Sequence, residues 1–173
     1  MATLPAPPGR RNGSERSTSG TFAAARRQVV HPARMGTTIK PTFGIERWDE
    51  HPTWQDGDRK VTRATVVKRY RGELDATGTM EYVMAYAPDG TARYVGLERV
   101  DGTLDGRPGS FILEDAGTFR DGIAASAFRI VEGSGTGELV GITGQASVDA
   151  VHADTQTMTL EYALPAGVGS ASR

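Results

Sequence analysis

Tyr94-Val-Gly-Leu-Glu-Arg-Val-Asp-Gly-Thr-Leu-Asp-Gly-Arg-Pro-Gly-Ser-Phe-Ile-Leu113 reads as strand, tight turn, strand. β-branched, aromatic and leucine residues are punctuated by Asp101-Gly102, Asp105-Gly106 and Pro108-Gly109, the residue pairs that antiparallel hairpins use to reverse direction. The same grammar extends on both sides. Further strands are predicted over 37–48, 60–70, 79–87, 92–100, 109–114, 118–130, 144–151 and 156–164, with Asp89-Gly90 and Asp121-Gly122 as additional turns. Residues 49–59, which hold Pro52 and Asp56-Gly57-Asp58, read as a polar loop.

Alternation is clearest over 60–70. Val61, Arg63, Thr65, Val67 and Arg69 form a set suited to solvent, while Thr62, Ala64, Val66, Lys68 and Tyr70 form the set expected inside. About eight strands without crossover helices predict an all-β fold, either a sandwich or a closed barrel. Short successive hairpins favour an antiparallel up-and-down β-barrel, because closure removes exposed edges. One helical turn is expected near Thr136–Val140, capped by Thr136 or Ser134 and kept short by flanking glycines.

Composition narrows the functional classes. A chain of 173 residues, 38% hydrophobic with 22 glycines, suits one turn-rich domain. No apolar run reaches the ~18–20 residues of a membrane span, so a soluble, cytoplasmic protein is expected. Cysteine is absent, which removes disulfides, thiol nucleophiles and thiolate metal sites. Residues 1–34 carry six arginines and one acid, leaving 14 basic and 20 acidic residues in the remainder. An acidic body does not suit nucleic acid.

That basic segment, 1–34, is rich in Pro, Ala, Gly, Ser and Thr and has no apolar periodicity. It is expected to be a disordered tail, or to reflect a misassigned start with Met35 as the true beginning. Arg10-Arg11 lacks the hydrophobic region of a twin-arginine signal. A single domain is expected over 35–166, with a short flexible C-terminus over 167–173.

Several motifs fail on inspection. The run Gly133-Ser-Gly-Thr-Gly-Glu-Leu139 has no lysine for a phosphate loop, and the position three residues after each Gly-x-Gly pair is Glu138 or Val140 where a dinucleotide fingerprint needs Gly or Ala. Its glycines are read as letting the chain fold over a barrel end. His31, His51 and His152 share no metal-ligand spacing, so no metal and no cofactor is expected.

The remaining candidates are aromatic residues and carboxylates on strands. Trp48, Tyr70, Tyr82, Tyr86 and Tyr94 either fill the core or line a cavity, since an eight-stranded barrel has room for one small ligand. Glu98 shares a strand face with Tyr94 and Gly96 and is the candidate catalytic group. An inward carboxyl in apolar surroundings has a raised pKa and suits acid–base work. The alternative is a solvated face or a pair with Arg99 or Lys68. Which face is interior for Glu81 and for Glu98 stays open.

Three segments carry a family resemblance: Met80-Glu-Tyr-Val-Met-Ala-Tyr86, the stretch from Tyr94 to Phe111, and Gly133-Ser-Gly-Thr-Gly-Glu-Leu-Val-Gly141. With Gly36–Trp48 and Arg63-Ala64-Thr65-Val66, residues 37–164 resemble the bacterial family called domain of unknown function 3224. The resemblance implies an allene-oxide-cyclase-like, calycin-related barrel. Relatives by fold include cofactor-free cyclases, but fold alone transfers no reaction.

The expected function is binding of a small, mainly apolar molecule in the barrel interior, through a cavity formed by Trp48, Tyr70, Tyr82, Tyr86, Tyr94 and Glu98. One alternative is a cofactor-independent isomerase or cyclase using Glu98. The other is a filled barrel with a structural or interaction role. Barrels of this kind associate, so a homo-oligomer is a further expectation.

Overall fold

The computed structural model describes residues 36–150 and 153–165. The expectations for 1–34, Met35, His31, His152 and 167–173 lie outside them. Ten strands run β1 Thr37–Ile39, β2 Thr42–Asp56, β3 Arg59–Arg71, β4 Leu74–Tyr86, β5 Ala92–Leu104, β6 Arg107–Arg120, β7 Ile123–Ile130, β8 Thr143–Ala150, β9 Gln156–Thr157 and β10 Thr159–Ala163. All pair antiparallel in one sheet, ordered β1-β10-β8-β7-β6-β5-β4-β3-β2-β9.

The two ends of that order meet. Thr37 faces Tyr162, Ile39 faces Leu160, Thr42 faces Thr157 and Phe43 faces Gln156, all in one constant register. Between them the Met158 N–H donates to the Pro41 carbonyl at 2.9 Å. β1 and β2 are therefore one strand interrupted by Lys40-Pro41, and β9 and β10 one strand interrupted by Met158. The result is the expected up-and-down barrel of eight strands, each next to its neighbour in sequence.

The interior is set by alternation. Along β4, Leu74, Ala76, Met80, Tyr82 and Met84 are buried while Asp75, Thr77, Glu81, Val83 and Ala85 are exposed. β3 buries Thr62, Ala64, Val66, Lys68 and Tyr70, the set expected inside. Asp105-Gly106 and Asp121-Gly122 make two-residue hairpins with positive φ at both positions (48° and 76°, then 51° and 78°), the conformation that matches the twist of the flanking strands.

Some local expectations were wrong. Residues 49–56 continue β2 instead of forming a loop. Beyond Phe43, β2 pairs among the described residues only with β3, both of its faces are largely exposed and two register shifts interrupt it, so no apolar rhythm marks it as a strand. Pro52 fits because one edge of the strand is unpartnered there among the described residues. Asp101-Gly102 and Pro108-Gly109 lie within β5 and β6. Gly109 serves close approach, since a Cβ there would sit 2.2 Å from the Thr136 carbonyl oxygen. The expected strand 118–130 is split by the Asp121-Gly122 turn, and β4 starts at Leu74, not at residue 79.

The glycine-rich segment folds across one end of the barrel. Val131 N–H donates to Ile112 O and Thr136 N–H to Ser110 O, at 2.9 and 2.8 Å, tying it to β6. It contains a single 3-10 turn, Gly137–Leu139, and delivers Leu139 and Ile142 into the core. No side chain caps that turn; Thr136 Oγ1 instead accepts from the Ser110 N–H, and Ser134 Oγ from the Ile112 N–H. Among the described residues no helix is long and apolar enough to cross a membrane.

Candidate functional site

Among the described residues the opposite end, where the β2–β3, β4–β5 and β6–β7 turns lie, is open. A cavity of about 490 Å³ enters there. Its upper wall is Ile45, Trp48, Met84, Tyr86, Phe119 and Ala124, and its inner part reaches Lys68, Tyr82, Tyr94, Ser126 and Phe128. The volume lies within the ~300–1,000 Å³ common for small-molecule sites.

Inward glycines make room for the rings. A Cβ on Gly96 would lie 2.7 Å from Tyr82 Cδ1, and one on Gly117 would lie 2.4 Å from the Tyr94 ring. On Gly78 it would meet Glu98 Oε1 at 1.9 Å and Tyr70 Cε2 at 2.9 Å. Each ring is laid across the vacant position of a glycine on a neighbouring strand. Tyr82 and Tyr94 also pack edge to face, with centroids 5.4 Å apart.

Beneath the apolar wall sits a buried polar layer. Lys68 Nζ donates to Glu98 Oε2 at 2.8 Å, and Tyr70 O–H to Glu98 Oε1 at 2.8 Å. Tyr82 O–H donates to Asp115 Oδ2 at 2.5 Å, and Ser126 O–H to the same oxygen at 3.1 Å. Tyr94 O and Ser126 Oγ are 2.9 Å apart. Because Ser126 spends its proton on Asp115, Tyr94 is the donor in that contact. Asp115 Oδ1 is buried without a partner among the described residues.

The electrostatics follow from burial. Desolvation is the main influence holding the Asp115 carboxyl above its ordinary value; the Tyr82 hydrogen bond, Lys68 and the Ser126 hydrogen bond oppose it, and Glu98 reinforces it. Burial, then Asp115, pushes the Tyr82 phenol far up, and burial, then Glu98, does the same for Tyr70. Tyr86, whose hydroxyl donates to Glu50, is pushed up to about 12.

A raised carboxyl pKa makes a prediction of definite sign. Above the ordinary value of 3.8, folded Asp115 holds more proton than the unfolded chain, so stability falls as pH rises through the raised pKa. Asn at 115 has an oxygen for Tyr82 and Ser126 but does not ionise. The stability of Asp115→Asn relative to the parent should therefore rise as pH is taken from about 4 to neutrality. Urea unfolding at successive pH values reads this slope, and a slope of the opposite sign would contradict the assignment.

The structure distributes the expected site residues over two levels. Trp48, 45% exposed, stands at the mouth, and Tyr82, Tyr86 and Tyr94 line the cavity below it. Tyr70 and Glu98, both fully buried, lie in the layer behind the cavity surface, with Glu98 paired to Lys68. Glu81 is exposed and accepts from Thr65 Oγ1. The sequence reading did not name Asp115 or Ser126. Asp115 falls at the inward parity of β6, in the series Phe111, Leu113, Asp115, Gly117, and that parity was its signal. Among the described residues no three His, Asp or Glu side chains gather closely enough to hold a metal ion.

Comparison with known proteins gives kinship without activity. A family model described as "Protein of unknown function (DUF3224)" matches residues 39–162. A crystal structure of a protein with unknown function from the DUF3224 family of Shewanella oneidensis MR-1 is similar, with 26% identity and a TM-score of 0.66. The match covers 76% of this chain and 99% of that one. No curated protein matches.

Proposed function

The chain belongs to the DUF3224 family of proteins of unknown function, and from that footing we propose that it binds a small, mainly apolar molecule inside the barrel. The cavity carries this reading. It opens to solvent at one end, and its wall is apolar and aromatic, with Lys68 and Ser126 as polar exceptions among the tyrosines. A barrel with a purely structural role would be expected to fill this space with side chains.

A second reading, a cofactor-independent isomerase or cyclase on a hydrophobic substrate, is favoured by one observation. The Tyr94–Ser126–Asp115 chain links the cavity wall to a carboxyl held above its ordinary pKa. In that case Tyr94 would be the group facing substrate and Asp115 the proton reservoir. Glu98 would act as a positioning residue for Lys68, because both of its oxygens already have partners.

The test is mass spectrometry of small molecules released on denaturing freshly purified protein. An apolar compound should come off the parent protein and be missing from a variant with the cavity filled. Equal recovery from both would refute binding in the interior.

A further inference from the structure

Resting on that binding reading, we infer that the inner end of the cavity recognises a neutral carbonyl oxygen, so that the ligand is an apolar ketone or enone held by Lys68.

The argument begins with donors. An ammonium has three N–H groups. Lys68 has one hydrogen-bond acceptor among the described residues, Glu98, and its side chain is only 5% exposed. Nζ also stands over the faces of Phe43, Phe128 and Tyr82, with centroids at 5.3, 5.4 and 6.0 Å, and Lys68 interacts electrostatically with Asp115. These rings stabilise the positive charge but are weak substitutes for an oxygen acceptor. Lys68 also lines the cavity, so spare donor capacity meets the space a ligand would occupy.

The hydroxyls there are already engaged. Tyr82 donates to Asp115, Ser126 donates to Asp115, and Tyr94 donates to Ser126. The donor available to a ligand is thus the ammonium, and the complementary group is an acceptor. Charge selects which acceptor. Glu98 already neutralises Lys68 at 2.8 Å, and Asp115 adds a second carboxyl to the layer. An anionic head would bring a further negative charge to an ammonium that Glu98 already neutralises, whereas a carbonyl brings a lone pair without a charge.

Fluorene and 9-fluorenone are suitable probes, because they differ by a CH2 against a C=O in nearly the same outline. Binding is followed by calorimetry or by quenching of Trp48. Fluorenone should bind about ten-fold or more tighter than fluorene, the scale of one hydrogen bond to a charged donor. Fluorene-9-carboxylate should bind more weakly than fluorenone. In the Lys68→Met/Glu98→Leu double variant, which removes both charges together, the fluorenone-to-fluorene ratio should fall towards one. Equal affinity of the two neutral probes for the parent protein, or a ratio that survives in the double variant, would overturn the carbonyl assignment alone. Tighter binding of the carboxylate would overturn it in favour of an anion site. If none of the three binds, the interior-binding reading falls and the inference falls with it.

Discussion

Replacing Glu98 by Leu should lower stability by about 3–5 kcal/mol and the melting temperature by roughly 10 °C. The side chain is fully buried, and its removal strands the Lys68 ammonium and the Tyr70 hydroxyl without an acceptor. Lys68→Met should cost a similar amount, because it leaves the Glu98 carboxylate with Tyr70 alone. The two losses should not add. In the Lys68→Met/Glu98→Leu protein no charge is stranded, and the remaining penalty is the Tyr70 hydroxyl, about 1–3 kcal/mol. Adding Tyr70→Phe should recover much of that. Denaturant unfolding of the four proteins completes the cycle. Strictly additive losses would mean that water reaches this layer and the pair is not desolvated.

The second large effect concerns occupancy. Ala124→Trp, on the inner face of β7 beside Phe119 and Ser126, should drive an indole into the cavity. Fluorene affinity should drop at least about a hundred-fold, roughly 2.7 kcal/mol. Stability should hold or rise, since filling a cavity in a folded barrel adds apolar contact. The combination is the diagnostic part. Loss of binding with the melting temperature retained locates the ligand inside, and undiminished binding would locate it elsewhere.

The fold was legible because alternation is a local property. Thr62, Ala64, Val66, Lys68 and Tyr70 share a face whatever the rest of the chain does, and the structure buries all five. Turns were less legible. Asp-Gly fits a tight reversal and Pro-Gly a turn, but a glycine also serves where strands crowd. Gly102 stands against Asp75 and Ala76, and Gly109 against Thr136, for that second reason. The site lay beyond local reading. Lys68 meets Glu98 across 30 positions, and Tyr82 meets Asp115 across 33. Those meetings depend on how β3, β4, β5 and β6 are staggered, which no window of sequence contains. The inward parity of Lys68 was readable and that of Glu98 stayed open; the mutual placement of Lys68, Glu98 and Asp115 was beyond any local window.

The segment that crosses one end of the barrel has a kinetic meaning. With Leu139 and Ile142 buried across that end, the described residues leave the cavity a doorway at the opposite end. On the proposed binding reading, an occupant using that doorway would leave by the path it entered, and a second molecule would wait until the first had gone. Trp48 and Phe119 stand at that doorway. By microscopic reversibility, side chains that only obstruct the passage slow arrival and departure by one common factor. If the proposed binding holds, they would set how long a guest stays, while the deeper layer around Lys68 would decide which guest is kept.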